Sequence, residues 1–199
     1  MLKEMLSVLP WTARHGASAL PSHDWQIEQA AHAINDWLME LAVSLSERVT
    51  EAQPLSPEHD DMVRRMFLIS ICKAFLIHRV EEVLDHKSLP AQTVARYLAY
   101  MYSDEFNHII ALAREMAPRQ FVFLPEGYQS IVSPLDAYRD TVPGMDQGVL
   151  TYQLSHWVYD NIDQSALMEL IHRQAAVVTR DLEDQLYNQL TRSLTVSQK

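Results

Sequence analysis

The 199-residue sequence contains little of what marks several large classes of protein. Its single cysteine, Cys72, cannot build a disulfide framework, so a reducing cytoplasm is the expected location. Only four glycines are present, which is few for a protein with many tight turns. There is no Gly-rich phosphate loop, no Cys-x-x-Cys motif and no sustained strand-like alternation of polar and apolar residues. These absences disfavour a disulfide-rich or sheet protein.

The charge and the apolar runs disfavour two kinds of partner. The net charge is −10, and no cluster of Lys and Arg could neutralise the phosphates of a nucleic acid. The apolar stretch at 66–80 contains Lys73 and His78, and it is too short and too polar to span a membrane. Residues 1–10 lack the long apolar core of a signal peptide. We therefore expect neither a nucleic acid nor a membrane as a partner.

The composition and the spacing of apolar residues predict an all-α protein. Apolar residues make up 48 % of the chain, and Ala, Leu, Met, Gln and Glu are abundant, which favours helices. Apolar positions recur at spacings of three and four between capping residues and prolines. The chain is long enough for a single domain, 1–199, with a substantial core. The five main helices of this bundle are predicted at 22–48, 57–86, 91–117, 147–161 and 164–190.

The remaining segments are predicted to be irregular. They are an N-terminal segment at 1–20, a connection at 118–145 that contains four prolines, and a polar tail at 191–199 that frays. The second helix is apolar nearly all round from Met66 to Leu84, so we expect it at the centre of the bundle.

The third helix carries the first of two Glu-x-x-His motifs, Glu105–His108, whose side chains lie one helical turn apart on the same face. Both residues fall on the predicted buried face of this helix, at positions where the apolar pattern predicts a residue such as Leu. A buried carboxylate must find a cation or hydrogen-bond donors, and a metal ion inside a bundle would supply the cation. The alternatives are a Glu–His hydrogen bond in the core, or a stripe rotated toward solvent. The inward stripe is Val94, Leu98, Met101, Glu105, His108, Leu112 and Met116.

The fifth helix carries the second motif, Glu169–His172. Relative to the predicted core direction around Ile171 and Ala175, His172 lies about 60° away and Glu169 about 120° away. His172 is therefore expected to point inward as a metal ligand, and Glu169 is a borderline ligand. For Glu169, an exposed pairing with Arg173 is the alternative.

Two further histidines fall where ligands would be needed. The rise per residue places His156 and Glu169 at about the same height in two antiparallel helices joined by a hairpin. It places His78 and Glu105 at heights that differ by an amount that helix tilt can absorb. A hydrogen-bonded core histidine is the alternative for each.

Two tyrosines each precede a candidate ligand by about one turn, Tyr102 before Glu105 and Tyr152 before His156. Either phenol could hydrogen-bond a ligand or relay an electron, and packing with a satisfied hydroxyl is the alternative. Cys72 is expected to be an inert core residue.

A helical bundle with two Glu-x-x-His motifs resembles the ferritin-like di-iron and di-manganese carboxylate proteins. Within that superfamily, residues 103–108 (Ser-Asp-Glu-Phe-Asn-His) are most similar to the Asp-Glu-x-x-His motif of the p-aminobenzoate N-oxygenase type. The resemblance implies a ferritin-like bundle that binds iron, or manganese in its place, and activates O₂. The family pattern also asks for one further Glu on each of two other helices. Here His78 and His156 are the nearest matches, which makes the site richer in nitrogen and favours a single Fe(II) or an altered pair of ions.

The resulting functional hypothesis is a cytoplasmic, non-haem iron-dependent oxidase or oxygenase that acts on a small molecule with O₂, alone or as a homodimer. Its predicted metal ligands are Glu105, His108, His172, His156, His78 and Glu169, with Tyr102 and Tyr152 as catalytic candidates. The rival hypothesis is a non-catalytic helical adaptor or subunit whose internal His and Glu residues form hydrogen-bonded pairs. Metal storage or sensing is a third.

Overall fold

In the part of the chain that the computed structural model describes, the first helix, α1, contacts each of the other four described helices. The helices are α1 (Trp25–Ala52), α2 (Met62–Leu84), α3 (Leu89–Met116), α4 (Gln164–Val178) and α5 (Leu182–Thr195). The structure describes residues 25–55, 62–84, 89–116 and 164–195. Over these ranges the chain is almost entirely helical and contains no strand, which confirms the predicted all-α fold.

Small side chains let α1 take its central place. Ala30, Ala31 and Ala42 are fully buried, and they alternate with the larger core residues Ile34 and Leu38 along the same helix. Because an alanine places only a methyl group between two backbones, neighbouring helices can approach α1 closely from more than one side. The helix therefore contributes to a single apolar core that contains residues from all five helices.

The middle of α2 is buried on every side. Each residue from Phe67 to Ile77 is buried, as expected for a helix that is apolar nearly all round. α2 packs against α1 and α3, and it also contacts α5. One charged residue, Lys73, lies within this stretch.

The end of α1 and the start of α3 differ slightly from the prediction. α1 continues one turn beyond the predicted residue 48, and the bond from the Gln53 N–H to the Val49 carbonyl (2.8 Å) closes its last turn. Pro54 restricts only the residue immediately before it, so the helix can run to Ala52. α3 begins at Leu89 with Pro90 in its first turn, where the missing N–H has no helical partner to lose.

The prediction of one continuous helix at 164–190 was wrong, because the chain breaks at residues 179–181. Thr179 closes α4 by donating from both its N–H (2.8 Å) and its hydroxyl (2.9 Å) to the Ala175 carbonyl. The Leu182 N–H then bonds the Thr179 carbonyl (3.0 Å), and α5 starts with the Asp181 carbonyl accepting from Gln185 N–H (2.9 Å). The β-branched run Val177, Val178 and Thr179 disfavours an uninterrupted helix here.

α5 continues to Thr195, beyond the predicted end of the helix at residue 190, and residues 196–199 of the tail predicted to fray lie outside the described residues. The predicted helix at 147–161 and the segments at 1–20 and 118–145 lie outside the described residues. None of the described helices combines the length and the apolar character needed to cross a membrane.

Candidate functional site

Glu105 on α3 points into the bundle, as the apolar stripe predicts. Val94, Leu98 and Met101 on the same helix are buried, and the Glu105 side chain is only 15 % exposed. A carboxylate in such a position requires a cation or hydrogen-bond donors to offset the loss of water. Both are present in the described part of the chain, and they come from two other helices.

The cation is the ammonium group of Lys73 on α2. Its Nζ forms an ion pair with Oε2 of Glu105, and the Lys73 side chain is 1 % exposed. Burial lowers the pKa of Lys73, whereas the negative charges of Glu105 and Asp36 act in the opposite direction. Lys73 therefore neutralises Glu105 from the most buried stretch of the molecule.

The hydrogen-bond donor is Asn35 on α1. Its Nδ2 donates to Oε1 of Glu105 at 2.9 Å, so each carboxylate oxygen has a partner from a different helix. The Asn35 side chain is buried, and none of the described residues donates a hydrogen bond to its Oδ1 atom. We refer to Asn35, Lys73 and Glu105 together as the ionic cluster.

A second polar contact between α2 and α3 lies next to the ionic cluster. The Tyr102 hydroxyl lies 3.0 Å from Ser70 Oγ and donates to the Ser70 carbonyl at 3.2 Å. The Tyr102 ring is buried and stacks on Phe106, with ring centroids 6.2 Å apart. Ser70 precedes Lys73, and Tyr102 precedes Glu105, by three residues, so both polar contacts join the same two helix faces.

His108 does not share the inward direction of Glu105. Its side chain is exposed, and its Nδ1 lies 3.2 Å from the Asp104 carbonyl oxygen on the same helix. The predicted inward stripe was wrong at this residue because Phe106 sets the core direction in the second half of α3. At about 100° per residue, His108 lies roughly 160° from Phe106 around the helix. Phe106 is 1 % exposed, so His108 must face outward.

The second Glu-x-x-His motif lies on the outer side of α4. The expectation that His172 points inward was wrong, because its side chain is exposed. Its ring lies nearly perpendicular to the ring of Phe75 on α2, with centroids 4.8 Å apart. Ile171 and Ala175 take the fully buried positions of α4 instead. The Glu169 side chain is 72 % exposed and lies 3.7 Å from Arg173, the alternative pairing considered for it.

His78 has a local partner as well. The imidazole is 32 % exposed, and its Nε2 lies 3.5 Å from Oε1 of Glu82, one helical turn further along α2. The remaining predicted residues, His156 and Tyr152, lie outside the described residues. Cys72 is fully buried and burial raises the pKa of its thiol, as suits an inert core residue.

Within the described residues, the predicted ligands do not gather at one point. Glu105 already binds an ammonium and an amide, and the imidazoles of His108 and His172 lie on exposed faces. In the described ranges, no three His, Cys, Asp or Glu side chains converge on a point that could hold a metal ion. A bundle metal centre needs several such side chains directed at one place.

Two surface grooves lie away from the ionic cluster. One, of about 290 Å³, lies between α1 and α2 and includes Ser46, Glu47 and Arg65 in its lining. The other, of about 440 Å³, lies between α2 and α3 and includes His78 and Arg96. No residue of the ionic cluster lines either groove.

The sequence pattern predicts the inward direction of Glu105 but not its two partners, Lys73 and Asn35. The signal for Lys73 was present, because a lysine inside a helix that is apolar all round must be buried and needs a negative charge. Asn35 gave a weaker signal, as a polar residue directly after Ile34 on the apolar face of α1. Comparisons with protein-family models, with curated proteins and with solved structures find no match for this chain.

Proposed function

We propose that this protein is a non-catalytic helical subunit or adaptor whose ionic cluster fixes how α1, α2 and α3 pack together. The observation that supports this most directly is that both carboxylate oxygens of Glu105 are occupied, one by Lys73 and the other by Asn35. Glu105 is thereby satisfied within the protein and has no need of a bound cation.

The positions of the three residues support a packing role. Each comes from a different helix, so a rotation or sliding of any one of these helices would leave a buried charge or amide without its partner. Such a loss costs several kcal/mol, roughly, when the partner that remains is a buried charge. An arrangement of this kind disfavours alternative packings of the same helices, as buried polar residues do in some other helical proteins.

The iron-dependent oxidase stays a prediction based on the resemblance to ferritin-like proteins. It requires the Glu105 carboxylate to bind a metal ion, and Lys73 would then lose the partner that neutralises it. The two hypotheses therefore differ in what Glu105 does. Metal content separates them without any knowledge of the substrate.

The experiment compares the wild type with two matched variants after iron-replete expression and anaerobic purification. Glu105→Gln changes the ionic cluster, and Glu169→Gln makes the same change at the exposed motif. If the cluster has a packing role, none of the three proteins carries stoichiometric iron, and only Glu105→Gln unfolds at lower denaturant concentration. About one or two irons per chain in the wild type, lost in Glu105→Gln, would overturn the proposal in favour of the oxidase.

A further inference from the structure

The smaller of the two surface grooves combines apolar side chains of α2 with carboxylates of α1. Leu68 and Ile69, both buried residues of α2, supply the apolar part of its lining. Glu47 and Glu51 of α1 line it as well, and they are exposed and lie one helical turn apart. We refer to the groove that these four residues bound as the α1–α2 groove.

The two hydroxyl groups in this lining can only accept hydrogen bonds from a ligand. Ser46 Oγ donates its proton to the Val43 carbonyl (2.8 Å), and Thr50 Oγ1 donates its proton to the Ser46 carbonyl (2.8 Å). A hydroxyl has a single proton, so each oxygen offers a ligand only its lone pairs. Every polar side chain that α1 contributes to the groove is therefore a hydrogen-bond acceptor.

The carboxylates of the groove can be reached by a ligand. The side chains of Glu47 and Glu51 form no ion pair or hydrogen bond with any residue that the structure describes. Arg65 of α2 also lines the groove, so two carboxylates and one guanidinium leave this lining with a net charge of −1. Acceptors on the α1 side, an apolar surface on the α2 side and an excess negative charge complement a cation on an alkyl chain.

We propose that the α1–α2 groove binds a lysine side chain of a partner protein. The ammonium donates to Glu47 and Glu51, and the alkyl stem of the lysine lies against Leu68 and Ile69. Lysine suits the groove better than arginine, because the donors around one nitrogen can be shared between two carboxylates, whereas a guanidinium favours both oxygens of one carboxylate. This role rests on the adaptor function proposed above and gives the adaptor a partner with an accessible lysine.

The size and the position of the groove favour a partner protein over a free amine. Its volume is about 290 Å³, whereas pockets that enclose a small molecule usually measure ~300–1,000 Å³. The groove is also open to solvent, where an isolated ion pair is weak. A protein segment covers the groove with its own atoms, which excludes water from the ion pair and adds contacts around it.

The experiment titrates the nitrogen-15-labelled full-length protein with two capped peptides and follows the backbone amide signals by NMR. Both peptides consist of alanine and glutamine, with a single central lysine in one and norleucine at that position in the other. Norleucine keeps the alkyl stem and lacks the charge. We expect the lysine peptide to shift signals from residues 46–51 and 65–69, and to bind at least about fivefold more tightly than the norleucine peptide.

Matched variants locate the binding on α1. Glu47→Gln and Glu51→Gln should each weaken binding of the lysine peptide about fivefold and leave binding of the norleucine peptide unchanged. Glu40→Gln makes the same change at an exposed position of α1 outside the groove, and it should have no effect. The titrations use physiological salt, which screens the general attraction between the peptide and the net charge of −10.

Four results would overturn the proposal. They are no binding of the lysine peptide, equal binding of the two peptides, equal weakening by Glu40→Gln and Glu51→Gln, and binding of n-butylammonium as tight as that of the lysine peptide. The last would assign the groove to a free amine. The comparison of the two peptides uses only the wild type, so it decides even if a variant fails to fold. Failure here is separate from failure of the packing role, which depends on the iron content and unfolding of Glu105→Gln.

Discussion

The two Glu-x-x-His motifs have the same spacing and opposite surroundings. On α3, Glu105 faces the core and binds residues of α1 and α2, whereas on α4, Glu169 faces solvent and lies near Arg173 of its own helix. In both motifs the histidine is exposed. The difference shows that a short motif on a helix acquires its chemistry from the direction it faces, because only an inward carboxylate must be neutralised by other elements.

The largest expected effect on the free energy of unfolding comes from removing the charge of Lys73, and it should be partly reversed by also removing the charge of Glu105. Lys73→Met should destabilise the protein strongly, because it leaves Glu105 without its cation in the core. Adding Glu105→Leu to Lys73→Met should recover about 3 kcal/mol of the free energy of unfolding, because the uncompensated charge is then removed.

Denaturant titrations followed by circular dichroism measure this recovery. Adding Glu169→Leu to Lys73→Met is the control, and it should recover nothing, since Glu169 is exposed. Equal stabilities of Lys73→Met and the Lys73→Met/Glu105→Leu double variant would show that Glu105 does not depend on Lys73.

A smaller effect on the free energy of unfolding is expected from replacing Asn35 in a protein that lacks the charges of Lys73 and Glu105. In the Lys73→Met/Glu105→Leu protein, the buried amide of Asn35 has lost its acceptor, and its Oδ1 already lacks a donor among the described residues. Replacing Asn35 by Leu there should raise the free energy of unfolding by about 1 kcal/mol, because an unsatisfied buried amide is removed. A loss of stability in that background would mean that Asn35 has another partner.

The contact between Tyr102 and Ser70 should contribute less than the ionic cluster. Tyr102→Phe removes a buried hydroxyl and leaves the ring in place, so we expect a loss of about 1 kcal/mol. Thermal or denaturant unfolding measures the change. Tyr187→Phe is the matched control at a residue that is 68 % exposed, and it should leave stability unchanged.

The smallest effect is expected at the exposed motif. Glu169→Gln should change the free energy of unfolding by less than about 0.5 kcal/mol, because the pair with Arg173 is exposed and its attraction is weakened by water and salt. Raising the salt concentration should remove what remains of the effect. A loss comparable to that of Glu105→Gln would contradict the distinction between the two motifs.

The sequence allowed the helices to be predicted better than the contacts between them. Periodicity identified the helical segments and the burial of α2, because these depend on neighbouring residues. The break at 179–181 was missed because the apolar spacing continues on both sides of it, from Ala175 to Leu182 and Leu186.

At the candidate site, too, local features could be predicted and contacts between helices could not. The inward direction of Glu105 could be predicted from its own helix, but its partners lie on helices whose relative rotation the local pattern does not contain. The predicted direction of His108 was wrong because the stripe continued the spacing of Val94, Leu98 and Met101 and left out Phe106, a bulkier core residue.

Cys72 has a practical consequence for studying this core. It is the only cysteine of the chain and directly precedes Lys73 in the fully buried stretch of α2. Thiol reagents react with an accessible thiolate, so Cys72 should be modified only when the packing around α2 opens. The rate of its modification under native conditions therefore measures how often the core beside Lys73 opens, without any substitution in the protein.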